Sequence, residues 1–93
     1  MFARVLHRMR ERIRERRYVM TLHAEEEMRA DELTIYDVER CILTGHVVER
    51  QRDRATSESK YVVQGQALDG TDAAVVVKFS PTRTLVILTT YVP

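Results

Sequence analysis

Thr34-Ile35-Tyr36-Asp37-Val38-Glu39-Arg40-Cys41-Ile42-Leu43-Thr44-Gly45-His46-Val47-Val48-Glu49-Arg50-Gln51-Arg52 is the stretch on which the fold turns. Up to Gly45 its buried-type residues Ile35, Val38, Cys41 and Ile42 recur every three or four positions, the spacing of one helix face. Beyond Gly45 the period falls to two. Thr34 followed by Asp37 predicts a capping box, with Asp in place of the usual Glu or Gln, and Gly45 predicts the helix end. The chain therefore divides into a helical half and a β half.

Downstream, strands are expected over His46 to Arg54, Lys60 to Leu68, Ala73 to Phe79 and Leu85 to Val92, with Asp69-Gly70 as a compact hairpin turn. The third and fourth of these, through Ala74-Val75-Val76-Val77 and Leu85-Val86-Ile87-Leu88, are apolar on both faces, which predicts central places in a sheet. Upstream, Phe2, Val5, Leu6, Met9 and Ile13 form the apolar stripe of an amphipathic helix. Tyr18-Val19-Met20 reads as an extended link, and Thr21 as the N-cap of a second short helix with Ala24 and Met28 on its inner face. The expectation is a single α+β domain over residues 1–93: a basic amphipathic helix at 1–17, two short helices within 21–45, and an antiparallel four-stranded meander at 46–93 with the helices packed on one face.

Ninety-three residues support one core. No apolar run is long enough to span a bilayer and no leader peptide is evident, so no membrane partner and a cytoplasmic location are expected. The one cysteine, Cys41, cannot form an internal disulfide and lies on a buried helix stripe, where a structural thiol is expected. The net charge is only +1, but residues 1–17 carry seven arginines against two glutamates. Thirteen of the fifteen basic residues are arginine, a bias that suits planar recognition of phosphate or carboxylate. Arg4, Arg8, Arg12 and Arg16 follow at i, i+4 and are expected to form a like-charged stripe on the solvent face of the first helix.

No phosphate-binding glycine loop, Cys-x-x-Cys pair or His-Glu-x-x-His motif is present, and neither His7 nor His46 stands at ligand spacing to a cysteine, so no metal and no cofactor are expected. Four features carry chemistry. His23, at a helix N-terminus, is placed to stay neutral and accept a proton. Lys60 shares one face of its strand with Val62, Gln64 and Gln66, a row suited to a phosphate and base edges. Tyr91 is expected to share a face with Leu85, Ile87 and Thr89, and to stack on a base or donate to phosphate. Arg50, Arg52 and Arg54 alternate onto one face, where three guanidiniums repel unless anions sit among them. Each has a plainer structural reading: a carbonyl-bonded histidine, a polar sheet face, a core-covering aromatic and a solvated edge strand.

The ordered set His23-Ala24, Met28, Asp37-Val38-Glu39, Gly45, Lys60-Tyr61, Gly70 and Thr90-Tyr91 resembles a bacterial domain-of-unknown-function family of RelE-like and MqsR-like small toxins, over about residues 17–92. The resemblance implies a RelE-like twisted antiparallel sheet flanked by N-terminal helices. It also implies membership of a toxin-antitoxin pair, with an MqsA-like zinc-finger antitoxin as protein partner and metal-independent cleavage of RNA, free or ribosome-bound. The family often has basic residues and a glycine in the helix after His-Ala, where this chain has Glu27, Asp31 and Glu32.

The leading expectation is an endoribonuclease in which a ribose 2′-hydroxyl attacks the adjacent phosphate, with His23, Lys60 and Tyr91 as catalytic residues and Arg52, Arg54 and Gln64 contacting phosphate and RNA. The alternative is a non-catalytic module that binds protein or RNA on the same fold, which Glu27 and Asp31 favour. A third is a homodimer formed through the stripe of the first helix.

Overall fold

The computed structural model describes all 93 residues. The element order is α1 (Ala3–Arg14), β1 (Tyr18–Met20), α2 (Leu22–Ala30), α3 (Ile35–Thr44), β2 (His46–Arg52), β3 (Ser59–Gln66), β4 (Asp72–Phe79) and β5 (Leu85–Tyr91). The α+β class and the one-sided helical layer are as expected, but the sheet has five strands, in the order β1-β5-β4-β3-β2. The fifth strand is the expected link Tyr18-Val19-Met20, which pairs parallel to β5 in the register Tyr18↔Leu85, Val19↔Val86 and Met20↔Ile87. This pairing explains the doubly apolar β5: with β1 beside it, β5 is an interior strand rather than the edge of a meander.

One core joins the layers. Met9 and Ile13 of α1, Ala24 of α2 and Val38, Cys41 and Ile42 of α3 pack on Val63, Ala73, Val75, Val77, Leu85 and Ile87 of the sheet, all buried. α3 starts at the predicted box: Asp37 N–H donates to Thr34 Oγ1 at 3.3 Å, and Thr34 N–H donates to Asp37 Oδ2 at 2.7 Å. The other oxygen of Asp37 accepts from Leu68 N–H at 2.9 Å and so ties the helix start to the β3–β4 hairpin. These donors hold the Asp37 carboxyl below its ordinary pKa.

Gly45 ends α3 for a reason other than a left-handed turn, since its φ is −90°. A Cβ there would lie 2.2 Å from the Gln64 carbonyl oxygen, and one at Gly65 would lie 2.6 Å from the Cys41 carbonyl oxygen. The two glycines let the helix end press directly on β3.

Two helix ends are built without glycine where glycine is usual. Arg16 N–H donates to the Ile13 carbonyl and Arg17 N–H to that of Arg12, while Glu32 N–H donates to Arg29 and Leu33 N–H to Met28. Both are Schellman closures, with Arg16 at φ 56° and Glu32 at φ 57° in the left-handed region. The like-charged stripe expected on α1 is also broken up. Arg12 is only 13% exposed and donates to the Arg83 carbonyl at 2.8 Å, with Glu15 beside it at 3.2 Å. Arg10 donates to the carbonyls of Ile42 and Gly45, at 3.2 and 2.9 Å, and satisfies the end of α3. Arg16 lies outside the helix. Arg4 and Arg8 are left as the unpaired pair. No helix is long and apolar enough to cross a membrane.

Candidate functional site

The helices cover one face of the sheet and leave the other open. Pairing places side chains on the open face in rows. One row is His46, Gln64, Ala74 and Tyr91, from the pairs His46↔Gln64, Gln64↔Ala74 and Ala74↔Tyr91. The next is Glu49, Val62, Val76 and Thr89. The third holds Gln51 opposite Lys60 and Lys78 opposite Val86, with Val19 of β1 beyond, 52% exposed. Lys60 and Lys78 are neighbours one step past the pair Tyr61↔Val77. Two ammonium groups thus stand at one end of the face and an imidazole, an amide and a phenol at the other, over an apolar floor. The two rows are four residues apart on β3, about 13 Å at ~3.3 Å per residue.

At the imidazole end a hollow of about 510 Å³ opens, with Arg40, His46, Gln64, Gln66 and Asp72 among its lining residues. Lys60 has no carboxylate partner, whereas Lys78 Nζ lies 3.2 Å from Glu58 Oε2. Glu49 also stands on this face and accepts from Gln51 Nε2 at 3.2 Å.

Of the residues picked from sequence, Lys60, Gln64 and Tyr91 are brought onto this one face. Tyr91 gets there by a route the alternation did not foresee. A bulge between Val76 and Val77 pairs them with Thr89 and Ile87 and skips Leu88, so Leu85 and Ile87 face the helices while Thr89 and Tyr91 face out. Thr90 is then buried, with its hydroxyl donating to the Ala24 carbonyl at 3.4 Å.

The arginines lie elsewhere. A second bulge, between Val47 and Glu49, sets Arg50 opposite Tyr61 and Arg52 opposite Ser59, on the helix side of the sheet and away from Lys60. Arg54 lies beyond the end of β2, in the turn leading to β3.

His23 sits on α2, which packs over β5 on the helix-covered side, so the sheet itself and two strand spacings, about 10 Å, separate its element from the strand of Lys60. It is 68% exposed. Its Nε2 lies 3.1 Å from Glu27 Oε1, yet without hydrogen-bond alignment, and that buried oxygen has no donor. The residue that sequence reasoning passed over is His46. Sequence alone speaks only to its unfitness as a metal ligand, whereas its place directly after Gly45 puts it at the head of β2, opposite Gln64.

No group of three or more His, Cys, Asp or Glu side chains converges. Cys41 is buried, with its thiol 3.4 Å from the Ala73 carbonyl oxygen, and desolvation pushes its pKa up to about 11. That keeps it a neutral, structural thiol. Tyr18 is raised to about 12 by burial and by its hydrogen bond to Glu39, which joins β1 to α3.

These features define a small α+β protein with a single helical layer and an open, partly cationic sheet face. Residues 20–92, from the last residue of β1 to the end of the sheet, match the domain of unknown function DUF4258, and the chain belongs to that family. No curated protein and no solved structure matches the chain.

Proposed function

We propose that this protein is the RNA-directed toxin of a bacterial toxin-antitoxin pair, of RelE-like type, and that the open sheet face is its substrate face. The observation that carries the reading is the gathering of Lys60, Lys78, His46, Gln64 and Tyr91 on the one face that no helix covers. Gln64 and Tyr91 stand on either side of the fully buried Ala74 and present the polar groups that hold the ribose. A base stacks on Tyr91. His46, rather than His23, takes the proton of the 2′-hydroxyl, because it stands on the same row. Lys60, free of any carboxylate, leans along the strand toward the phosphate and stabilises the charge of the phosphorane. The P–O5′ bond breaks and the leaving 5′-oxygen takes a proton from water, while the proton held by His46 returns to solvent; the products are a 2′,3′-cyclic phosphate and a 5′-hydroxyl. The antitoxin would inhibit by covering this face.

The test is incubation of the purified protein with defined RNA in EDTA, free and on ribosomes, with analysis of the ends produced. Fragments with cyclic phosphate ends, lost in His46→Ala and Lys60→Ala while the variants keep their melting temperature, are expected. Intact RNA under both conditions would refute catalysis.

A second reading, a non-catalytic RNA-binding module, is favoured by the distance of about 13 Å between the lysine and imidazole rows and by the seating of His23 against Glu27. It predicts RNA binding without cleavage.

A further inference from the structure

On the opposite side of the sheet, a hollow of about 370 Å³ lies between the N-terminal part of α1 and strands β2 and β3. Its rim is Arg4 and Arg8 of α1 and Arg50 of β2, and its floor is formed by Phe2, Val5 and Tyr61. The Phe2 and Tyr61 rings meet edge to face, with centroids 6.4 Å apart. Arg8 holds its guanidinium 4.5 Å above the Phe79 ring, which fixes its direction without neutralising it. The other arginines of α1 that touch the fold have partners: Arg10 binds carbonyls and Arg12 binds Glu15 and Arg83. None of Arg4, Arg8 and Arg50 has a carboxylate within ion-pair distance, nor does any of them donate a side-chain hydrogen bond within the protein. Arg52 follows Arg50 on the same face.

We infer that this hollow is a second RNA-binding site, one that holds a phosphodiester of single-stranded RNA in the three guanidiniums with the adjoining base against the Phe2–Tyr61 floor. This rests on the reading of RNA as the ligand, and goes beyond it by placing a contact on the face away from the proposed chemistry. Three convergent cations match one phosphate, which presents several acceptor oxygens at a single point. An acidic peptide would have to crowd two or three mutually repelling carboxylates into the same space. The apolar floor also suits a base, whose π-face stacks on aromatic carbon irrespective of sequence. Arg50 and Gln51 point to opposite faces of the edge strand, so an RNA rounding β2 would touch the hollow and the open face together.

The experiment is fluorescence anisotropy with a labelled ten-nucleotide 2′-O-methyl RNA, which cannot be cleaved, between about 50 and 200 mM salt. The triple variant Arg4→Gln, Arg8→Gln, Arg50→Gln is compared with Arg14→Gln, Arg17→Gln, Arg29→Gln, which removes the same charge outside the hollow. Thermal melts confirm that both fold. The first triple is expected to weaken binding at least tenfold at the lower salt. Its log–log salt slope should flatten by about 2, from three lost contacts at ~0.7 each. The second triple should stay within about threefold. Equal loss in both triples, no loss in either, or an arginine-dependent affinity for a glutamate-rich peptide but not for RNA would overturn the inference. Cleavage is scored separately. A first triple that still cleaves RNA but binds it like the parent strikes only this inference, whereas a parent that neither binds nor cleaves RNA strikes the proposed function itself.

Discussion

Replacing Glu32 by glycine should stabilise the protein, by an amount set by one backbone angle. Glu32 closes α2 at φ 57°, is exposed, and makes no side-chain hydrogen bond or ion pair. A residue with a Cβ in the left-handed region pays about 1–2 kcal/mol. Glycine escapes that cost but gives back about 0.5–1 kcal/mol through the greater freedom of its unfolded chain. The net gain is about 0.5–1 kcal/mol, and at 4–8 °C per kcal/mol for a domain of this size the melting temperature should rise by about 2–8 °C. A carboxylate at a helix C-terminus is itself unfavourable, so Glu32→Ala is the control. Alanine removes the charge but keeps the Cβ, and only the difference between the two variants reports the angle. Thermal unfolding by circular dichroism at pH 7 decides it. Arg16→Gly tests the same geometry at the end of α1, and the distant pair should add. Glu32→Gly melting at or below Glu32→Ala would refute the reasoning.

Gly65→Ala should lose about 1–3 kcal/mol in chemical denaturation, because its Cβ would meet the Cys41 carbonyl oxygen at 2.6 Å and α3 must move off the sheet; unchanged stability would mean that the helix end is loosely seated. Asp37 has a folded-state pKa below its unfolded value, so its contribution is complete above the unfolded pKa and is lost as pH falls through the folded one. Asp37→Asn should therefore be less stable than the parent at pH 7, with the gap closing below about pH 4, and a gap independent of pH would contradict this. Cys41, raised to about 11, should resist thiol reagents at pH 8 in the folded protein and react at once in denaturant; rapid labelling of the native state would show that α3 opens.

Helices, caps and turns were legible because their signals are local. The α3 box is written in Thr34 and Asp37, and Val5, Leu6, Met9 and Ile13 of the stripe do face the core or its rim, while Phe2 packs on Tyr61. β1 was not legible. Three residues carry no measurable period, and their partner Leu85-Val86-Ile87 lies at the far end of the chain. Two bulges hid the distribution of the candidate residues. Alternation is exact only in an unbroken ladder, so the skip at Leu88 turned Tyr91 outward and that at Val48 set Arg50 and Arg52 on the face opposite Lys60. His46 became visible as a candidate only once its row was known. The expectation of glycine at position 32 came from resemblance alone, and the left-handed backbone there supplies its physical reason.

The most direct test of the proposed substrate face is amide chemical-shift mapping of the isotope-labelled protein with an uncleavable 2′-O-methyl RNA. The account predicts the largest changes at His46, Lys60, Gln64, Lys78 and Tyr91. Changes confined to the outer surfaces of α2 and α3, around Glu26, Arg29 and Tyr36, or no changes at saturating RNA, would contradict it.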